Sequence, residues 1–249
     1  MKQLLNPGRI IFALGFFVLG ILCFIYKDFI VGRPPAWPAG FNGNPALGYI
    51  SGALLIISAI TILINKKAAS GSLLIAVLIV LLTLSRHLPH FMNDWANAYK
   101  SMALLGGALI IAASFFKEYD AAANKNIINA FVTIGSLLLT AFFLMGGYAH
   151  FKYASFVDTL IPNYIPFHRF WTYTCAIFLF AGGVGLLIPS LRKLAALLSG
   201  IMIAGWFVLL HIPRFIADTS NTSDRLGLCE SFIFVGIFFV LAAMFAEKE

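Results

Sequence analysis

The chain of 249 residues is 61% hydrophobic and only 11% charged, with a formal net charge of +7. Soluble domains carry about 25% charged residues, so this composition excludes a soluble globule of the same size. The basic residues stand in short gaps between apolar runs, which is typical of topology signals in membrane proteins and not of a nucleic-acid interface. The sequence therefore predicts an integral membrane protein.

Eight apolar runs are long enough to cross a membrane as helices, because a spanning helix needs about 20 mostly apolar residues. We predict helices and not strands, since the runs show no sustained alternation and irregular backbone cannot face lipid. No small-residue cleavage site follows the first run, so we expect it to be retained as a span. The predicted spans are 9–26, 47–65, 71–88, 101–117, 126–147, 169–189, 194–213 and 227–246.

Short and long gaps alternate between these spans. The two sets of gaps carry nearly equal numbers of Lys and Arg, but the short gaps concentrate theirs in pairs such as Lys66-Lys67 and Arg192-Lys193. The positive-inside rule is most reliable for such short turns. We therefore expect a bacterial inner-membrane protein with both termini in the cytoplasm and the long gaps on the outer face.

One polar phrase occurs twice, as "RHLPHFMND" at 86–94 and as "LHIPRFIAD" at 210–218. The two copies align without a gap, and the prolines at their centres predict that the third span of each half kinks or ends there. Each half has an even number of spans, so the halves would be parallel repeats that bring both copies to one face. We predict an internal duplication, with one four-helix repeat over 1–122 and a second over 123–249.

The repeated phrase supplies the candidate site, and its composition leaves three interpretations open. Its histidines could cap the broken helices and pair with nearby carboxylates or carbonyls. Its cations could instead bind a quinone, a lipid head group or an anionic substrate where the halves meet, since charge beside an apolar span is costly and often functional. A metal site is the third, although His90 aligns with Arg214, which cannot ligate, and we predict none. The candidate ligand-binding residues are Arg86, His87, Asp94, His211, Arg214 and Asp218.

Motifs of soluble enzyme classes are missing from the sequence. It contains no dinucleotide-binding glycine pattern between strand and helix, no phosphate-binding loop, no nucleophile elbow and no HExxH zinc motif. A transporter is less favoured, because the predicted spans carry no buried charge at mid-depth. We therefore predict no catalytic residues in this chain.

Four segments in order resemble the DoxX-like family of small membrane proteins. They are "GILCFIYKDF" (20–29), "GRPPAWP" (32–38), "RHLPHF" (86–91) and "KSMALLGGALIIA" (100–112). The resemblance implies a four-helix bundle, present here in tandem. The family's founding activity is the membrane subunit of a thiosulfate:quinone oxidoreductase, other members are linked to oxidative-stress complexes, and related eukaryotic bundles act as cargo receptors or assembly chaperones.

Two functions follow from the site and the resemblance together. The first is a non-catalytic subunit or assembly factor of an envelope complex, whose partners are the lipid bilayer and other membrane or periplasmic proteins. The alternative is a quinone-linked oxidoreductase subunit with its site at the outer junction of the two repeats. No cofactor is expected within the chain; if the repeated phrase binds a ligand and does not only cap the helices, a quinone or a lipid is the candidate.

Overall fold

The computed structural model describes residues 2–38, 43–119 and 124–246, and the regular structure in these ranges is helical throughout. Eight helices are long and apolar enough to cross a membrane. The predicted class, an all-α multi-pass membrane protein with eight spans, is therefore confirmed. The helices are α1 (Leu5–Tyr26), α2 (Pro45–Leu63), α3 (Ala68–His87), α4 (Phe91–Tyr119), α5 (Lys125–Lys152), α6 (His168–Leu187), α7 (Arg192–Ala217) and α8 (Thr222–Ala246).

Local sequence explains where several of these helices begin and end. Asn44 caps α2, because its side-chain oxygen accepts a hydrogen bond from Ala46 N at 2.9 Å, and Pro45 occupies the first turn. Asn124 caps α5 in the same way. A short helix, Ala154–Leu160, lies between α5 and α6.

Helix α4 is much longer than the predicted span 101–117, with 29 residues from Phe91 to Tyr119. At 1.5 Å per residue it measures about 43 Å, more than the roughly 30 Å of a bilayer core, so one end projects beyond the apolar layer. The added turns contain polar residues that lower the mean hydropathy, so a criterion based on hydropathy does not include these turns in the predicted span. The backbone leaves helical geometry at Asp94 (φ −129°, ψ 32°), which kinks α4 near its start.

Helices α3 and α7 each contain a π-helical segment, Ile79–Thr83 and Phe207–His211 respectively. The α3 helix ends at His87, two residues before the proline of the first phrase, as predicted. By contrast, α7 continues through Pro213 to Ala217. Pro213 has no N–H to donate to the carbonyl of Leu209, four residues earlier. That carbonyl accepts a hydrogen bond from the Tyr164 hydroxyl instead.

Consecutive helices pack side by side, and two further contacts close the bundle. Helix α8 packs on α1 as α5 packs on α4, and α4 and α8 touch at the centre. The apolar windows of α8 and α4 are accordingly 83% and 67% buried, against 17% for α7. Glycines permit the closest approaches: a Cβ at Gly236 would lie 2.5 Å from Gly8 O, and one at Gly135 would lie 2.5 Å from Gly106 O.

The two ends of the bundle differ. We call the end that carries residues 27–38, 88–90, 153–167 and 218–221 the long-loop face, and the opposite end the short-turn face. At the short-turn face the buried Arg9 of α1 donates from Nε to Ser114 Oγ at 3.0 Å and pairs with Glu118, so it links α1 to α4. The predicted repeat boundary at 122/123 lies outside the described residues.

Candidate functional site

Arg86, on the last turn of α3, fastens the first long loop to the bundle. Its Nη1 donates to both carboxylate oxygens of Asp28, at 3.0 and 2.9 Å, and to Phe29 O at 2.9 Å. Its Nε donates to Pro35 O at 2.6 Å, and the guanidinium lies 4.7 Å from the ring of Trp37. Only arginine has enough donors in a planar fork to make this set of contacts.

His87 and Asp94 of the first phrase lie against each other. His87 Nδ1 is 3.1 Å from Asp94 Oδ2, but the two groups are not aligned as a hydrogen bond. The other carboxylate oxygen of Asp94 accepts from Asn97 Nδ2 at 2.7 Å. The kink of α4 at Asp94 thus lies at the point where α4 meets the end of α3.

A central ion cluster of Arg33, Lys100 and Glu230 joins the first long loop, α4 and α8. Glu230 Oε2 is 3.2 Å from Lys100 Nζ and 3.1 Å from Arg33 Nε. The Glu230 side chain is only 4% exposed, and its Oε1 has no hydrogen-bond partner among the described residues. Arg33 also donates to Ser223 O at 2.9 Å, which ties the loop to the first turn of α8.

His211 of the second phrase lies beside this cluster. A Cβ added at Gly227 would be 2.9 Å from Arg33 Nη2 and 3.1 Å from His211 Nδ1, so both side chains pack against the same glycine of α8. The cluster continues on the other side, because Lys100 Nζ donates to Asn97 Oδ1 at 3.4 Å. A line of polar contacts therefore runs from the His87–Asp94 pair through Lys100 and Glu230 towards His211.

Arg214 and Asp218, the remaining candidates, have different surroundings. Arg214 donates to Leu160 O at 2.8 Å and pairs with Asp224 Oδ1, 2.6 Å from its Nη2, rather than with Asp218. Asp218 is exposed, and its Oδ1 accepts from Ser220 Oγ at 2.6 Å and from Ser220 N at 3.0 Å. The bond from the Ser220 hydroxyl, followed by that from its N–H, lowers the pKa of the Asp218 carboxyl.

All six candidates thus lie at the long-loop face, but apart from the His87–Asp94 contact their partners are residues that the phrase does not contain. Neither Lys100 nor Arg33 was a candidate from the sequence, because both lie in predicted gaps between spans, where a cation is ordinary. Glu230 gave the clearest signal, since a carboxylate inside a predicted apolar span needs a partner. Among the described residues, no three His, Cys, Asp or Glu side chains gather as metal ligands.

These observations define a multi-pass, all-helical membrane protein whose long-loop face is cross-linked by buried ion pairs. The family model described as Domain of unknown function (DUF8561) matches residues 139–221, from within α5 to the loop before α8. No curated protein and no solved structure matches the chain.

The predicted membership of the DoxX-like family is wrong, because no model of that family matches and the match found is to DUF8561. The four segments that carried the resemblance are short and mostly apolar. Every membrane span selects the same few apolar and small residues, so segments of this kind recur among unrelated helical membrane proteins.

Proposed function

We propose that this chain is a non-catalytic subunit or assembly factor of a membrane complex. One observation carries the proposal: the arginines of the repeated phrase bind the protein's own loops. Arg86 bonds to Asp28 and to loop carbonyls, and Arg214 bonds to Leu160 O and Asp224. Such contacts build a rigid face for another protein and leave these guanidinium groups committed within the chain.

The least buried helix, α7, offers a surface for such a partner. Its exposed apolar residues recur at spacings of three and four, and at Gly205 nothing lies within 4 Å of an added Cβ. Helices associate in membranes through close packing at small residues, and this stripe fits that mode. The stripe is Leu194, Leu198, Ile201, Gly205 and Val208.

Site-specific photo-crosslinking in native membranes tests the proposal. A photoreactive amino acid at Leu198 should give one discrete protein adduct, identifiable by mass spectrometry. The matched control is Ile57 on α2, which is equally exposed (54% for both residues) and should react with lipid. Lipid adducts alone at both positions would contradict the subunit role.

We infer that the protein lies in a bacterial inner membrane with both termini in the cytoplasm. The short-turn face carries Lys66 and Lys67 in the tight turn between α2 and α3, and Arg192 and Lys193 at the start of α7. Paired cations in such short turns favour the cytoplasmic side. Alkaline phosphatase fused after Ala217 should be active, and the same enzyme fused after Leu63 should be inactive; the reverse result would invert the topology.

We also propose that the two halves, 1–122 and 123–249, arose by duplication. The packing supports this, because α1 to α4 contact one another in sequence as α5 to α8 do, and α4–α5 mirrors α8–α1. Both third helices, α3 and α7, contain a π-helical segment. A pseudo-two-fold axis would then run between α4 and α8, the two most buried helices.

A quinone-linked oxidoreductase subunit is the second candidate function, with its site where α4 and α8 meet. The central ion cluster favours it, since ionisable groups buried at a membrane helix junction are costly and often functional. Quinone that co-purifies with the protein should be lost in Glu230→Gln and in His211→Ala, and retained in Asp218→Asn. Unchanged quinone content in all three variants would exclude this role.

A further inference from the structure

A cavity of about 230 Å³ lies in the first half, between the end of α3 and the start of α4. Its wall is mostly apolar and includes two aromatic rings, those of Phe91 and Tyr99, whose centroids are 6.0 Å apart. Besides Tyr99, which carries a hydroxyl, two polar side chains of α3 line it, Thr83 and His87, which are four residues apart and share one face of that helix. An apolar cavity with a few polar groups has the composition of a small-molecule site.

Both polar side chains hold buried atoms that have no hydrogen-bond partner among the described residues, namely Thr83 Oγ1 and both ring nitrogens of His87. Among the described buried hydroxyls, those of Ser58 and Ser101 on regular helices also have no partner, whereas two others are bonded within their own helix. Ser72 and Ser136 donate to the carbonyl four residues earlier, at 3.1 and 2.7 Å. Thr83 closes the π-helical segment Ile79–Thr83, where the turn is wider, and it makes no such bond.

The neighbouring Asp94 indicates whether His87 Nε2 donates or accepts a hydrogen bond. Asp94 Oδ2 is 3.1 Å from His87 Nδ1, and a carboxylate favours a proton on the nitrogen it faces. Neutral His87 then carries a lone pair on Nε2 and accepts a hydrogen bond. The hydroxyl of Thr83 can donate and accept. A single hydroxyl group on a ligand would satisfy both, by donating to His87 Nε2 and accepting from Thr83 Oγ1.

We propose that this cavity binds the hydroxyl head of a lipid-soluble molecule, a quinol or an isoprenoid alcohol, through Thr83 and His87. Sites that enclose a whole drug-sized ligand measure about 300–1,000 Å³, so a cavity of about 230 Å³ admits the head while the tail stays in lipid. The exposed side chains of Leu84 and Leu88 at the cavity wall suit an apolar tail. The inference goes beyond the subunit role, and it places any quinol away from the central ion cluster.

Binding to the purified full-length protein, measured by native mass spectrometry and by the thermal shift that each probe produces, tests the site. Decylubiquinol and farnesol both carry a hydroxyl, and decylubiquinone offers only carbonyl and ether oxygens. At least one hydroxyl probe should bind with one molecule per chain, about tenfold more tightly than decylubiquinone, because the quinone cannot donate to His87. Binding of decylubiquinol without farnesol identifies a quinol site, and the converse identifies an alcohol site.

Two variants locate the ligand. Thr83→Val keeps the shape of the side chain and should weaken binding about tenfold, whereas Ser72→Ala, which removes a hydroxyl already bonded within α3, should leave it unchanged. Met102→Trp, which fills the cavity, should abolish binding.

The proposal is overturned if decylubiquinone binds as tightly as the better of the two hydroxyl probes, if neither hydroxyl probe binds, or if Thr83→Val and Ser72→Ala behave alike. Should Met102→Trp fail to fold, the Thr83→Val comparison still decides. Quinone that is lost in Glu230→Gln but kept in Met102→Trp would support the quinone-linked role at the central ion cluster and refute a quinol in the cavity; farnesol that still binds to Met102→Trp would refute the alcohol site.

Discussion

Removal of Glu230 should destabilise the protein strongly. Its carboxylate is almost fully buried and offsets two cations, Lys100 at 3.2 Å and Arg33 at 3.1 Å. Truncation of one partner of a buried ion pair costs about 3–5 kcal/mol, because the remaining charge is left without compensation in a poorly solvated place. For a chain of this size, each kcal/mol shifts the melting temperature by about 2–4 °C, so Glu230→Met should lower it by roughly 6–20 °C.

A double-mutant cycle separates the ion pair from the effect of packing. Lys100→Met alone should also be destabilising, but Lys100→Met with Glu230→Met should cost less than the sum by about 1–3 kcal/mol, because no buried charge then lacks a partner. Arg33 can turn to water, since its side chain is 28% exposed. The assay is the unfolding temperature of the detergent-solubilised protein, which is measured by light scattering during heating.

The control is Asp218→Ala, which removes an exposed carboxylate that bonds only to its own turn and should leave the unfolding temperature nearly unchanged. Strict additivity of the two methionine variants would refute the reasoning. So would a loss for Glu230→Met no larger than that of the control.

Three further changes probe the same face. Gly48→Ala would set a Cβ 2.8 Å from the backbone oxygen of Lys27 and closer still to the backbone nitrogen of Asp28, and should cost about 1–3 kcal/mol, whereas Gly205→Ala, with open space around it, should be neutral or stabilise by up to about 1 kcal/mol; thermal unfolding compares them. Arg86→Lys should lose about 2–4 kcal/mol and expose residues 27–38 to protease, because one ammonium cannot replace the contacts of the fork. Asp218, whose pKa is lowered by its bonds to Ser220, stabilises the fold above about pH 4, and this contribution is lost as the pH falls through the folded pKa; Asp218→Asn should flatten that acid limb of a stability-against-pH curve.

The spans could be predicted from sequence because a bilayer imposes one rule, about 20 apolar residues for each helix. The rule fails where a helix turns polar residues inward, as α4 does at Asp94, Asn97 and Lys100. These side chains find partners inside the protein, so the helix continues although its mean hydropathy falls. The start of α4 is therefore ten residues earlier than predicted.

The site was only partly predictable, because its partners are distant in the chain. The His87–Asp94 contact lies within one phrase and follows from its spacing. Glu230 meets Arg33 across 197 residues, and no local pattern encodes that distance. A long-range ion pair depends on how the helices pack. A single sequence indicates it only through ionisable residues within or beside apolar spans, where an unpaired charge is energetically unfavourable.

The two arginines of the repeated phrase make equivalent contacts although they occupy different positions in the two copies of the phrase. Arg86 precedes its histidine by one residue, and Arg214 follows its histidine by three. Those two phrase positions are four residues apart, so on a continuous helix such as α7 they lie on one face. Each arginine accordingly reaches a backbone carbonyl in the loop after the first helix of its half, Phe29 O at 2.9 Å and Leu160 O at 2.8 Å.

The mismatch of His90 with Arg214 in a gapless alignment therefore need not mark a loss of symmetry. In the first half α3 ends at His87, so an arginine at position 90 would stand in the turn and not on the helix face. In the second half the helix runs on to Ala217 and carries the cation one turn further. What the duplication proposal needs is one guanidinium for each loop, and the helix lengths of the two halves account for where each one stands.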